Sequence, residues 1–153
     1  MIKKFFTLSI ILIFAHCGFN PVHNVKNNLN YNIILVERSG DKIINNQISN
    51  EINRISNSES SNFLKLKLKS NYQIIILSKD AKGSASEFQI IVTSEFVIQK
   101  DLEKEIISYT EKQNYKKNSD LFDQKKYVEN IKKNLASQIV RKFNLELLTK
   151  NDN

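Results

Sequence analysis

Cys17 is the one thiol in the chain, and its position limits its chemistry. Without a second cysteine it can form neither an intrachain disulfide nor a cysteine-based zinc cluster. It stands at the end of the apolar run Phe5 to Ala15, which Lys3 and Lys4 precede. A short basic segment followed by an apolar stretch of this length has the layout of an export signal. The run is too short to cross a bilayer as a helix, which takes ~20 apolar residues. A short buried N-terminal helix is the bland alternative. The chemistry that suits a lone cysteine here is acylation: Cys17 is diacylated, becomes the first residue on cleavage, and is acylated again on its amine. Residues Phe14-Ala15-His16-Cys17 keep the alanine of a lipoprotein processing site and depart from it at Phe14 and His16. Gly18 follows where an aspartate would retain the protein in the inner membrane, so the expected location is the outer membrane, lipid-anchored on the periplasmic side. The expected organisation is a signal peptide over 1–16, a lipidated tether over 17–28 and a folded domain over 29–150.

Other chemistry is scarce. Past the signal only His23 remains as an imidazole, and it lies in the tether. No HExxH, GxSxG or CxxC occurs, and Gly18, Gly40 and Gly83 are too far apart to build a phosphate loop. Acidic pairs such as Glu103 and Glu105 read as solvated turn charges. The sequence therefore points away from an enzyme, with no catalytic residue, no metal set and no cofactor expected.

Basic residues are what is left. The chain has 23 Lys and Arg against 16 Asp and Glu, a formal charge of +7, which suits an anionic partner such as a phospholipid or a lipopolysaccharide. Export argues against nucleic acid. Lys116-Lys117, Lys125-Lys126, Lys132-Lys133 and Arg141-Lys142 recur along the last segment, with Lys125 and Lys132 one heptad apart on a shared face. An ordinary solvated face explains such a pattern; the sharper reading is a surface that meets phosphates. Lys79, Lys82, Lys100 and Lys104 lie at strand ends and turns, and Lys65, Lys67 and Lys69 form a row that also guards against edge pairing.

The elements that must position these residues follow from hydrophobic period. Residues 29–37 alternate, with Leu29, Tyr31, Ile33 and Leu35 on one face. Gly40 makes a turn and Asp41 an N-cap. Ile44, Ile48, Ile52 and Ile55 then form one helical stripe over 42–56. From Phe63 the period returns to two through Leu64, Leu66 and Leu68, with a bend expected near Ser70-Asn71. Further strands are expected over 87–99 and 105–113. A long helix from 120 to 147 carries Val128, Ile131, Leu135, Ile139 and Phe143, with Leu121 and Phe122 extending its apolar start. One apolar stripe per helix and one apolar face per strand predict an α+β fold: a two-layer sandwich with two helices on one face of a four-stranded mixed sheet, in the order β-α-β-β-β-α. The first two strands are expected to be parallel, the rest an antiparallel meander, and the far sheet face polar.

The run Cys17-Gly18-Phe19-Asn20-Pro21 resembles the C-G-F-x-P start of the LPS-assembly lipoprotein LptE family in its alphaproteobacterial form, with Val22-His23 where that family often has Leu-Tyr. Asp80 and Gly83 resemble its central polar turn, without the arginine that often follows. The tract from Tyr115 to Phe122, and Leu135-Ala136-Ser137-Gln138-Ile139, are similar to its loop and its L-A-x-Q-I helix core. The resemblance implies a non-enzymatic Gram-negative lipoprotein that plugs and helps assemble the outer-membrane barrel LptD and aids lipopolysaccharide delivery to the outer leaflet. It implies lipopolysaccharide contacts, for which Lys79, Lys82, Lys100 and Lys104 are candidates by their place in turns. The alternative is an auxiliary lipoprotein of a lipid-transport ABC system.

Overall fold

A computed structural model describes residues 29–100 and 102–151. The signal, Cys17 and the tether lie outside the described residues. The elements are β1 (Asn32–Gly40), α1 (Lys42–Ile55), β2 (Phe63–Lys79), β3 (Ala85–Lys100), β4 (Glu103–Lys116) and α2 (Leu121–Asn151). The four strands form one sheet in the order β1-β2-β3-β4, with β1 and β2 parallel and the other pairs antiparallel. Both helices pack on one face. The expected architecture and element order are thus the observed ones.

The core is where the two periods meet. Ile44, Ile48 and Ile52 of α1 and Ile131, Leu135, Ile139 and Phe143 of α2 are buried against Leu64, Leu66, Leu68, Ile90, Val92 and Phe96 of the sheet. Phe143 stacks on Phe96 with centroids 4.4 Å apart, and Tyr109 meets Phe96 edge-on. Such aromatic pairs add ~0.5–1.5 kcal/mol each beyond their buried area.

The turn from β1 into α1 is the tightest in the fold. Gly40 has φ +94°, and a Cβ there would lie 1.7 Å from the carbonyl oxygen of Ser70. The chain must pass so close because the Asp41 N–H donates to that same oxygen (2.8 Å). Asp41 then caps α1, its carboxylate accepting from the Ile44 N–H at 2.9 Å. Behind the cap, Asn45 is buried and fully engaged: its amide donates to the Ser39 carbonyl (2.9 Å) and its side-chain oxygen accepts from the Ser70 hydroxyl (2.6 Å). Buried polar groups are tolerated only with such partners.

Several details differ from the sequence reading. β1 starts and ends three residues later than expected: its pairing with β2 begins at Asn32 opposite Phe63 and, past a bulge between Leu35 and Glu37, continues to Gly40 opposite Ser70. β2 does not break at Ser70-Asn71; it continues to Lys79, held by β3 alone once β1 has turned away, and its register slips only past Ile76. β4 reaches Lys116 because Tyr115 is buried against Phe88. α2 starts at the Asp120 cap, whose carboxylate accepts from the N–H groups of Phe122 (2.7 Å) and Asp123 (3.0 Å). Leu121 and Phe122 do not extend its core stripe. They are exposed, since the first turn of α2 overhangs the sheet. Nor is the far face of the sheet purely polar: Ile34, Val36, Ile75 and Ile106 are exposed.

Candidate functional site

The four candidate lysines do not meet. Lys79 and Lys82 flank the β2–β3 turn, whereas Lys100 and Lys104 flank the β3–β4 turn, and the 16 residues of β3 lie between them. At ~3.3 Å per residue that is about 50 Å. Sequence position alone made all four equivalent; the direction of β3 separates them.

The two ends differ in electrostatics. At the β3–β4 end the Lys100 amine sits 5.5 Å from the Tyr31 ring centroid, in a small cleft of about 180 Å³ that it shares with Glu103, Glu105 and Lys150. Lys150 bonds both Glu105 and Glu146. Desolvation works against its charged form, but those two carboxylates outweigh it and raise its pKa above the ordinary lysine value. The Tyr109 hydroxyl donates to Glu146 and thereby holds that carboxyl below its usual range, against the opposing effect of burial. Here Glu103, Glu105 and Glu146 offset Lys100 and Lys150, which makes this end poorer at capturing a further anion. Lys104 points to the other sheet face, beside Lys65, Lys67, Val36 and Leu102, and Lys67 is taken up by Glu37 at 2.7 Å.

At the β2–β3 end the arrangement is amphiphilic. A groove of about 460 Å³ opens between the start of α2 and the sheet. Tyr72 and Ile74 of β2, Phe88 of β3 and Tyr115 of β4 supply its apolar floor, and Leu121 and Val128 of α2 its wall. Phe88 and Tyr115 stack with centroids 5.3 Å apart, and Tyr127 meets Tyr115 edge-on. Burial, with a smaller contribution from Tyr72, pushes the Tyr115 hydroxyl pKa up, so it stays a neutral donor. Lys117, Lys125 and Lys132 stand at the rim.

These three cations are not equivalent. Lys132 is buried, bonds Asp41 at 3.0 Å and lies 3.2 Å from the centroid of the Tyr72 ring. Burial raises the Asp41 pKa, but the Ile44 N–H, Lys132 and the Ile43 N–H together outweigh it and keep the carboxyl below its usual value. Lys132 therefore positions α2 against the α1 cap. Lys117 and Lys125 have no ion pair among the described residues and remain available. The heptad spacing of Lys125 and Lys132 was the sequence signal for this site; the aromatic floor, drawn from three strands, had none. A groove of this size, apolar inside and cationic at the mouth, suits an acyl chain with an anionic head. Among the described residues no cluster of His, Cys, Asp and Glu could hold a metal ion, and no helix is long and apolar enough to cross a membrane.

The fold has relatives among bacterial lipoproteins. The crystal structure of rare lipoprotein B from Shewanella oneidensis matches with a TM-score of 0.56 at 15% identity, covering 78% of this chain and 96% of that one. A protein described as a lipoprotein from Caulobacter crescentus matches with a TM-score of 0.53 at 12% identity, covering 80% and 90%. No protein-family model and no curated protein sequence matches the chain. At these identities the likeness is one of fold. The chain spans nearly the whole of each relative, so its two-layer domain corresponds to theirs from end to end.

Proposed function

We propose that this protein is an outer-membrane lipoprotein, anchored through Cys17, that serves as an LptE-type plug and assembly factor for the barrel protein LptD. Lipopolysaccharide on its way to the outer leaflet is engaged at the β2–β3 end of the domain. The observation that carries this reading is the groove over Tyr72, Phe88 and Tyr115 with Lys117 and Lys125 at its mouth, on a fold shared with rare lipoprotein B. An acyl chain lies on the aromatic floor while the lysines and the exposed Lys79 and Lys82 meet phosphate by charge-assisted hydrogen bonds. Lys100 and Lys104, at the far end, take no part in that contact.

The test uses the chain from residue 17 carrying Cys17→Ser, titrated with purified lipopolysaccharide. Lys117→Glu with Lys125→Glu should weaken binding at least ~10-fold at low salt, since exposed charges are screened over ~8 Å at physiological ionic strength. Lys100→Glu with Lys104→Glu should leave it unchanged. Equal loss from both double variants would mean that net charge alone binds the glycolipid. In the native envelope, mild detergent extraction should bring the acylated protein out with a large barrel. Extraction with an ABC transporter instead would favour the auxiliary-lipoprotein role.

A further inference from the structure

Among the described residues, one stretch of sheet edge is neither covered nor charged. β1 pairs with β2 only as far as Gly40 opposite Ser70, then turns into α1. From Asn71 to Lys79, β2 bonds to β3 on one side, and among the described residues no backbone group bonds to its other side. At ~3.3 Å per residue this leaves about 30 Å of free main-chain donors and acceptors. Residues 71–78 carry no charge, and Ile74, Ile75, Ile76 and Leu77 are all exposed, on both faces of the strand.

The other two edges of the same sheet show how such exposure is ordinarily managed. β4 is as long, but it carries Glu103, Lys104, Glu105, Glu111, Lys112 and Lys116. β1 is short, bulged between Leu35 and Glu37, and charged at Glu37 and Arg38. Charges, bulges and brevity keep edges from pairing. The free half of β2 carries no charge from Asn71 to Ser78, and its one irregularity lies at its far end, past Ile76; an uncharged β-branched run is the kind that adds a strand readily. Cations bracket it: Lys69 stands just before the free stretch, and Lys79 and Lys82 close it, with the Asp80 carboxylate occupied by the N–H groups of Lys82 and Ser84.

We propose that the free edge of β2, Asn71 to Lys79, is a strand-addition site. Its occupant is an extended, β-branched segment of a partner protein with acidic residues at its ends. Main-chain bonds supply affinity, and the side chains that alternate across the edge supply selection. A second copy fits less well: when Ile74 pairs with itself in an antiparallel dimer, Lys69 of each copy lies opposite Lys79 of the other. The inference does not rest on lipopolysaccharide binding, although Lys79 and Lys82 serve both readings.

The experiment is hydrogen exchange, read by mass spectrometry, on the chain from residue 17 carrying Cys17→Ser. The probe is a nine-residue peptide alternating valine and threonine with glutamate at each end; its control has lysine at each end. The glutamate-ended peptide should slow exchange within 71–79 by ~10-fold or more and leave β4 unchanged. The lysine-ended peptide should bind at least ~10-fold more weakly. Ile75→Lys with Leu77→Lys, both exposed, should abolish the effect without moving the unfolding midpoint. No slowing at 71–79, equal slowing at β4, or equal binding of the two peptides would overturn the proposal. So would a peptide-free dimer already protected over 71–79, which would make the second copy the occupant.

Discussion

Replacing Lys132 by methionine isolates a charge pair that joins the two helices. The Lys132 side chain is 7% exposed and its partner Asp41 15% exposed. Removing one member of a fully buried pair costs ~3–5 kcal/mol. Asp41 keeps some solvent and its bond from the Ile44 N–H, so the expected cost of Lys132→Met is about 2–3 kcal/mol. For a chain of this length that lowers the thermal midpoint by roughly 6–10 °C. Asp41→Asn keeps a capping oxygen but strands the ammonium, and should cost about as much. The double variant should recover to within about 1 kcal/mol of the native protein, because a neutral cap and a thioether over the Tyr72 ring replace two desolvated charges. The pair also predicts acid sensitivity. The Asp41 pKa is lowered in the folded state, so its contribution is complete above the unfolded value, ~3.9, and is lost as pH falls through the folded value. Lys132→Met removes one of the causes that hold this carboxyl down, so its loss of stability between pH 5 and pH 3 should be shallower. Urea unfolding of all four proteins at pH 7 and pH 3.5 measures both effects. A single-variant cost below ~0.5 kcal/mol would refute the argument, since that is the behaviour of a solvent-screened surface pair.

Three further outcomes are expected. Gly83→Ala meets open space at φ +80° and should cost only ~1–2 kcal/mol, whereas Gly40→Ala adds the Ser70 carbonyl clash and should lower the midpoint far more or prevent refolding; comparable midpoints would show that the β1–α1 turn relaxes freely. Leu135→Ala should cost about 2–5 kcal/mol as a large-to-small change at a fully packed site, and an unchanged urea midpoint would mean that α2 does not rest on the sheet. Tyr109→Phe removes the donor to Glu146 and should cost about 1–2 kcal/mol; with that donor gone, the Glu146 carboxyl should titrate at higher pH, which carbon-detected NMR can follow.

How much of this was legible beforehand depends on range. Ile44, Ile48 and Ile52, and Leu64, Leu66 and Leu68, announce their elements because burial of one face imposes a period that a single segment displays. The Asp41 and Asp120 caps are equally local. The bulge between Leu35 and Glu37 is not, because it is decided by the partner strand. The length of β2 was obscured at Ser70 and Asn71, where small polar residues look like a break. They persist in the strand because Ser70 bonds to the buried Asn45 and lies opposite Ser94. For the site, Lys125 and Lys132 share a face by helical arithmetic, while Tyr72, Phe88 and Tyr115 converge only through the register of three strands. Turn lysines look alike in sequence and part company once β3 has a direction.

The place of α2 in the chain has a consequence for synthesis. The strands β2, β3 and β4 are neighbours in sequence and can zip together early, since contacts between near neighbours form fastest. Their apolar face, with Ile90, Val92 and Phe96 at its centre, is roofed by Ile131, Leu135, Ile139 and Phe143, which are among the last core residues to be made. Until they emerge, the nascent sheet presents a greasy platform to its surroundings, and such surfaces aggregate. A chain halted after Lys117 would carry the whole sheet without that roof. Between the completion of β4 and the docking of Phe143 on Phe96, that platform is the surface of this chain most exposed to aggregation.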